Sequence, residues 1–330
     1  MLENSNKTQT AASVFKSVYV RLGLVLIGLA ALFLVAMYIM MSGDGNTDAK
    51  SRKSKLAVKE GKLELKDAAS QDDADEQDDE GTIASKNKLL TLPGGVELEL
   101  LYVEKGSFKM GSKTKTENET PHLVHLTRDY WLGKYEVTQE QWMALMGSNP
   151  ATFNKGGRYP VESVSWKDAM EFCGKLTEME RSGGRLPEGY VYTLPTEAQW
   201  EFAAKCRGKY GDRNYSGGSN LDILGWHAGN SDKASHPVGR KRPNELGFHD
   251  MTGNVWEWCL DHSHIGAITN TYIDDISDPY CTMGSYRIFR GGSWSNIAWS
   301  CRVAFRISRE PHRVKVNDIG FRVALASEVK

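Results

Sequence analysis

The apolar run LGLVLIGLAALFLVAMYIMM, Leu22–Met41, constrains the chain before any other feature does. It carries no charged side chain, and as a helix it is long enough to cross a hydrocarbon core of about 30 Å. A helix buried in a soluble core is usually shorter, and a cleaved signal peptide has a shorter apolar region ending in small residues. The run predicts a single-pass membrane helix over 22–41, preceded by a short tail at 1–21. Lys16 and Arg21 flank it on one side and Lys50, Arg52, Lys53 and Lys55 follow on the other, so flanking charge alone does not choose an orientation. Asp44 and Asp48 lie nearest the membrane, and long C-terminal domains translocate largely regardless of charge. The expected topology places the domain outside the cytoplasm.

From 42 to 90 the composition turns lysine-rich and then acidic. QDDADEQDDEG holds seven acidic side chains and almost nothing apolar, so it cannot bury enough surface to offset its ordering entropy. It reads as a solvated spacer, with an acidic tail for a partner as the alternative. The globular part is expected over 91–330. A formal net charge of −1 offers no field for holding a polyanion, which argues against a nucleic-acid partner.

Within that part VELELLYVEKGSFKMG alternates as a strand does and turns at glycine. Three helix starts follow, each with a capping signature. Thr138 caps the first and Gln141 reaches back, with Gly147 as its stop. Ser165 caps the second, on which Trp166, Ala169, Met170, Cys173 and Leu176 share a face. Thr196 pairs with Gln199 at the third, with Trp200, Ala203 and Ala204 on its buried side. After Gly208 glycines recur every few residues between short aromatic runs, which predicts loops and short strands with no long helix. No repeat of solenoid period is visible. One compact α+β domain is the expectation. The five cysteines, Cys173, Cys206, Cys259, Cys281 and Cys301, are too few and scattered for a disulfide scaffold, and no CxxC pair exists.

The ordered blocks GKYEVTQEQW, NPATF, YPVESVSWKDAMEFCGKL, YTLPTEAQWEFAAKC, GFHDMTGNVWEWCLD, FRGGSW and NDIGFRVA run through nearly all of 90–326. Together they resemble the formylglycine-generating enzyme, or sulfatase-modifying factor, superfamily. The resemblance implies a C-type-lectin-like fold with little regular structure. It also implies a choice of chemistry, because the generating enzymes use oxygen and a copper ion held by two cysteines to oxidise a sulfatase cysteine. In them one cysteine follows the GGS turn after two residues and the second lies five further on. Here the region reads GGSWSNIAWSCR, with Asn296 at the first position and Cys301 at the second. A soft copper(I) ion favours low-coordinate thiolate ligation, which one thiol does not supply. Copper is therefore not expected, and Cys301 and Ser293 stay as the only catalytic candidates. Cys301 reads as a structural thiol in a strand-like CRVAFR alternation, where Arg302, Ala304 and Arg306 share a face. It either packs the core or, in an oxidising compartment, bridges to Cys259. Ergothioneine-pathway relatives carry three histidine ligands in an added N-terminal domain, and that part of this chain holds none.

The resemblance further implies a structural calcium at DMTGNVWEW, held by Asp250, Gly253, Val255 and Glu257. Calcium suits such a set of carboxylate and carbonyl oxygens. The alternative is that Asp250 and Glu257 pair with arginines or cap turns. A second family calcium loop is matched only by Asn230 and Ser231. His122 and His125 would face opposite sides of a strand, and His262 with His264 lacks a third ligand. No nucleophile-elbow motif presents a serine triad. The last segment also resembles the C-terminal cassette of lectin-fold variable proteins diversified by retroelements. Matching display positions are Ser295, Ile297, Trp299, Ser300, Phe305, Ile307, His312, Val314 and Lys315. Aromatics exposed there would suit a protein or glycan ligand; the alternative buries Trp299 and Phe305. The functional expectation is a membrane-tethered binding module without formylglycine-generating activity. The rivals are an oxygen-dependent oxidase with an altered centre and a retroelement-diversified display protein.

Limited proteolysis of the full chain is expected to cut first between Ser42 and Asn87 and to leave a resistant core, read by mass spectrometry of the fragments. Cuts spread evenly through the domain would contradict the assignment of spacer and domain.

Overall fold

The computed structural model describes residues 86–113, 117–267, 269, 271–312 and 316–329. The tail, the apolar run and the spacer up to residue 85 lie outside them. Among the described residues no helix is long and apolar enough to cross a membrane.

The domain is sheet-rich, with three sheets and three helices of at least two turns. Strands β1 (Lys88–Leu92), β2 (Val96–Val103), β5 (Tyr130–Gly133), β12 (Ala324–Ser327) and β6 (Tyr190–Thr193) form one sheet, in the order β1-β2-β5-β12-β6. The C-terminal strand is thus inserted between strands from much earlier in the chain. A second sheet has the order β10-β9-β7-β11, from β7 (Trp256–Ser263), β9 (Tyr286–Arg290), β10 (Arg306–Arg309) and β11 (Ile319–Gly320). A third joins β3 (Gly106–Met110), β4 (His122–Leu126) and β8 (Ile276–Ser277). The alternating stretch that begins at Val96 therefore forms two strands in two different sheets, divided at Glu104 and Lys105.

All three expected helices form where their caps place them. In α1 (Gln139–Met146), α2 (Trp166–Ser182) and α3 (Glu197–Ala204) the cap hydroxyl accepts from the third backbone N–H while the third side chain bonds back to the cap. Gly147 ends α1 in the left-handed region at φ 77°, which only glycine adopts without cost. Beyond α3 the longest α-helix is the single turn α4 (Leu221–Leu224).

Two cores result. One packs α1 and α2 between the first two sheets, with Trp142 stacked on Phe172 at 5.6 Å and Phe321, Trp258 and Phe289 beside them. The other surrounds α3, with Phe108, Tyr130, Trp200, Phe202 and Ile288. Cys173 and Cys206 are buried, as their helix faces predict. On β4, His122 points inward and His125 outward. The CRVAFR strand does not form. Ala298–Cys301 is a 3-10 turn, and the strand begins only at Arg306. Val303 N–H donates to the Asn214 carbonyl and Phe305 N–H to the Arg302 carbonyl, so neither joins a ladder. The bent path lets Arg302 reach Glu119 and Arg306 reach Glu197, two buried carboxylates that a straight strand would not serve together.

Asp261 of β7 accepts backbone N–H groups from Glu197 at 2.7 Å and Cys281 at 2.9 Å. Burial, with the charge of Glu197 added, pushes its carboxyl up to about 7. The folded state then holds a proton that the unfolded chain releases near pH 4. Stability should therefore fall as pH rises from about 4 to about 7, by at most about 1.4 kcal/mol per unit, and level off above. Glu201 acts with the opposite sign but below this window: burial would raise it, yet Lys205 and Arg290 hold it down to about 2. Asp261→Asn should be less stable than wild type at pH 5, with the gap narrowing towards pH 8 in urea titrations. A pH-independent gap would show that Asp261 does not titrate there.

Candidate functional site: the GGSW loop and the GNVWEW turn

The loop that follows β9 is shaped by two glycines, Gly291 at φ 96° and Gly292 at φ 77°. A Cβ on Gly292 would lie 2.6 Å from Cys301 Sγ, so the turn closes only because nothing stands between backbone and thiol. The Gly291 carbonyl accepts from Gly253 N–H at 2.8 Å, and Trp294 N–H donates to the Asn254 carbonyl at 2.7 Å. The two motifs are thus one hydrogen-bonded unit.

Cys301 is fully buried, and burial pushes its thiol up to about 12 against a backbone hydrogen bond from Ser293. A thiol in that range is protonated at neutral pH and a poor nucleophile or metal ligand. All five cysteines are free and buried, so Cys259 and Cys301 are not bridged. Five residues before Cys301, Asn296 Oδ1 accepts from Ser293 Oγ at 2.6 Å, while Ser293 Oγ and Ser295 Oγ lie 3.0 and 2.9 Å from Asp318 Oδ2. A polar net of hydroxyls, amide and carboxylate fills this position.

Past Asn296 the loop rises to the surface. Ile297 is 67% exposed and Trp299 49% exposed. The turn is held from below: Arg302 Nε donates to the Trp299 carbonyl, its guanidinium lies 3.9 Å from the Trp299 ring centre, and Glu119 grips its other nitrogens at 2.8 and 2.9 Å. Tyr215 Oη adds a bond to the Ala298 carbonyl. Ser295 and His312 are also exposed, and Ser300 is half-buried. Phe305 and Ile307 depart from the display expectation, because both are partly buried against the first core and Phe305 packs on Trp256. Val314 and Lys315 lie outside the described residues.

At the GNVWEW turn Glu257 is buried and engaged: Arg322 donates to both its oxygens at 2.6 Å and Trp200 Nε1 donates at 2.6 Å. Asp250 accepts from Gly239 N–H through Oδ2, while its buried Oδ1 has no hydrogen-bond partner. Glu136, unremarked in the sequence, accepts from Val255 N–H and Asn254 Nδ2. Burial and the charges of Asp250 and Glu257 raise the Glu136 carboxyl well above its usual range, and burial lifts Asp250 to about 6. Three carboxylates thus face one guanidinium. The charge excess and the unpartnered Asp250 oxygen fit a cation, while Glu257 would reach one only by loosening Arg322 or Trp200. Among the described residues no three His, Cys, Asp or Glu side chains are arranged to hold a metal by themselves, so backbone carbonyls would have to complete the shell. Asn230 and Ser231 are engaged with His227 N–H and the Trp294 carbonyl.

The structure also aligns Ser107 Oγ, His125 and Asp275, at 2.6 and 2.7 Å from the imidazole nitrogens. Asp274 and Asp278 of the same segment accept from Leu123 N–H and Thr127 N–H. The three aspartates act as a strap along the edge of β4, on an open surface.

Residues 93–327 match the family of sulfatase-modifying factor enzyme 1-like domains. The chain belongs to that family. It is 32% identical over 265 residues to the chaperone protein LppX of Paenibacillus barcinonensis, covering 67% of this chain and 86% of the relative. It is 35% identical over 186 residues to the formylglycine-generating enzyme of Streptomyces coelicolor, covering 50% of this chain and 52% of the enzyme. Among solved structures, Treponema denticola variable protein 1 superposes with a TM-score of 0.65 at 32% identity, over 73% of this chain and 99% of that one.

Proposed function

We propose that this member of the sulfatase-modifying-factor family is a membrane-tethered binding module that does not generate formylglycine. The observation that carries the reading is the pair Ile297 and Trp299, exposed on a turn that Arg302, Glu119 and Tyr215 hold rigid. Large apolar side chains held in place without loss of rotamer freedom are what interface hot spots are made of. Ser295 supplies a polar neighbour on the same loop, and a protein or glycan is the ligand class. The similarity to a variable protein and to a protein named as a chaperone supports recognition as the task. Leu22–Met41 provides the membrane tether in this reading, with the domain outside the cytoplasm and no role for nucleic acid. An altered oxidase is the second reading, favoured by the similarity to formylglycine-generating enzyme over half of each chain. The buried, protonated Cys301 and the polar net at Asn296, which also engages the Ser293 hydroxyl, speak against it.

We also propose that calcium tightens the GNVWEW turn, held by Asp250 with the carbonyls of Gly253 and Val255 and with Glu257 at its edge. The ion would neutralise a charge excess that Arg322 alone leaves.

Incubating the purified chain with copper(I), oxygen and a sulfatase-type cysteine peptide should give no aldehyde by mass spectrometry, and aldehyde that disappears in Cys301→Ser would overturn the binding reading. In the same preparation, selection from a displayed random-peptide library should enrich binders on wild type and lose them on Trp299→Ala, a change worth at least about 2 kcal/mol at a hot spot. Calcium at a hundredfold excess over its dissociation constant should raise stability by about 2.7 kcal/mol in thermal melts. Asp250→Asn should abolish that rise. Equal melting temperatures of the wild type with calcium and with chelator would show that protons, not calcium, neutralise the cluster.

A further inference from the structure

Among the described residues five arginines are buried: Arg287, Arg290, Arg302, Arg306 and Arg322. Four have carboxylate partners, Arg290 with Glu201 and Glu197, Arg302 with Glu119, Arg306 with Glu197, and Arg322 with Glu257. Arg287 is the exception. It is 9% exposed and lies 4.3 Å over Trp166. Nη1 donates to the neighbouring Tyr286 carbonyl, but Nε is buried with no hydrogen-bond partner, and no carboxylate pairs with the group. The acid that acts on it, Asp261, has its two oxygens on backbone N–H groups. A buried cation left this way is costly unless something anionic approaches it.

The sheet register adds two more basic side chains. Arg287 on β9 is directly opposite His262 on β7 and Arg309 on β10. Residues paired in this way share a face, so the three stand in one row across three strands. Like charges opposite one another disfavour the sheet unless an anion lies among them. His262 Nδ1 donates to the Gly284 carbonyl at 2.9 Å, which leaves Nε2 to bond elsewhere. Arg309 is exposed at the open end of the row.

A cavity of about 200 Å³ is lined by Met170, Tyr192, Leu194, Leu260, Tyr280 and Glu328 among others, and none of the three basic residues is in its wall. Two of its walls lead towards the guanidinium. Met170 is one turn along α2 from Trp166, the indole on which Arg287 lies, and the Tyr280 phenol acts on the Arg287 charge. A cavity of roughly 150 Å³ takes a benzene molecule, so this one has room for a single ring or a short branched chain.

We propose that Arg287, with His262 and Arg309, binds the carboxylate or phosphate head of a small organic anion whose apolar body enters the cavity. The guanidinium fork offers Nε and a terminal nitrogen to two oxygens of the head. The row across β7, β9 and β10 neutralises it, and Met170, Leu260 and Tyr280 cover the body.

The test uses the full chain in detergent, with benzoate, phenyl phosphate, inorganic phosphate and phenol as probes, read by thermal melts and equilibrium dialysis. Benzoate or phenyl phosphate should raise the melting temperature and bind, inorganic phosphate more weakly, and phenol without effect. Arg287→Met should weaken binding at least about tenfold. Its melting temperature without probe should not fall, because an unpaired buried cation is replaced by an apolar chain of similar length. Arg309→Gln, at an exposed position, should also weaken binding, and it carries the test should Arg287→Met not fold. Trp299→Ala should leave binding unchanged, which separates this site from the GGSW loop. The proposal is overturned by no binding of any anion at tens of millimolar, or by equal binding in wild type and Arg287→Met. Inorganic phosphate binding as well as phenyl phosphate would overturn the role of the cavity.

Discussion

Guanidinium–carboxylate pairs sealed inside the domain hold together a chain with few long regular elements. Arg302 and Glu119 are 183 residues apart in sequence, Arg306 and Glu197 109, Arg290 and Glu201 89, and Arg322 and Glu257 65. Each pair ties the last part of the chain to an earlier element, and Glu197 and Glu201 both lie on α3. A buried pair is worth little against an apolar pair of the same shape, but losing one partner costs about 3–5 kcal/mol. The pairs therefore penalise wrong arrangements more than they reward the right one. A loop-rich fold whose apolar side chains could pack in several ways needs such a penalty. Arg302 extends the same logic to the surface, because the guanidinium that Glu119 fixes also supports Trp299.

That principle sharpens the contrast with Arg287. The other buried arginines have acids brought to them from α3, β7 or the loop before β4, whereas Arg287 has an indole face and a carbonyl. Its β10 neighbour Arg309 adds charge of the same sign. Among the described residues every other buried arginine has an acid, and Arg287, in a row with His262 and Arg309, is the exception.

Local signals were legible in the sequence wherever local chemistry decides structure. Thr138, Ser165 and Thr196 cap helices because each is followed three residues later by a side-chain acceptor for its own backbone N–H, Gln141, Asp168 or Gln199, and all three boxes form. The link between the GGSW and GNVWEW motifs has no local signal, since its backbone bonds join residues about forty positions apart by sequence numbering. What failed was the strand at CRVAFR. Its alternation is real, but Arg302 and Arg306 belong to different carboxylates, and that demand bends the backbone where periodicity predicts a straight run. Phe305 packs on Trp256, and both it and Ile307 are partly buried against the first core. Glu136 and Asp318 gave no signal, because a lone acid looks the same in sequence whether it faces solvent or a buried amide.

Cys301 can remain where it is for reasons of space alone. Gly292 passes so close that a Cβ would overlap the sulfur, and Ser293 N–H bonds to the thiol. A larger residue at 301 would push the glycine turn off the GNVWEW unit, and alanine would leave a void beneath it at a position with no exposure. A small, soft, apolar side chain is what the turn requires, and cysteine supplies it without any need for the thiolate. The neighbouring position is bound by no such steric demand. Asn296 stands where the loop leaves the core, half-buried, bonded to Ser293 through its amide and to Ala228 through its carbonyl. A residue there is free to change with the chemistry of the surface, while residue 301 is held by the packing of the turn. The thiol at 301 therefore follows from the packing of the glycine turn, and the asparagine at 296 from the polar net where the loop leaves the core.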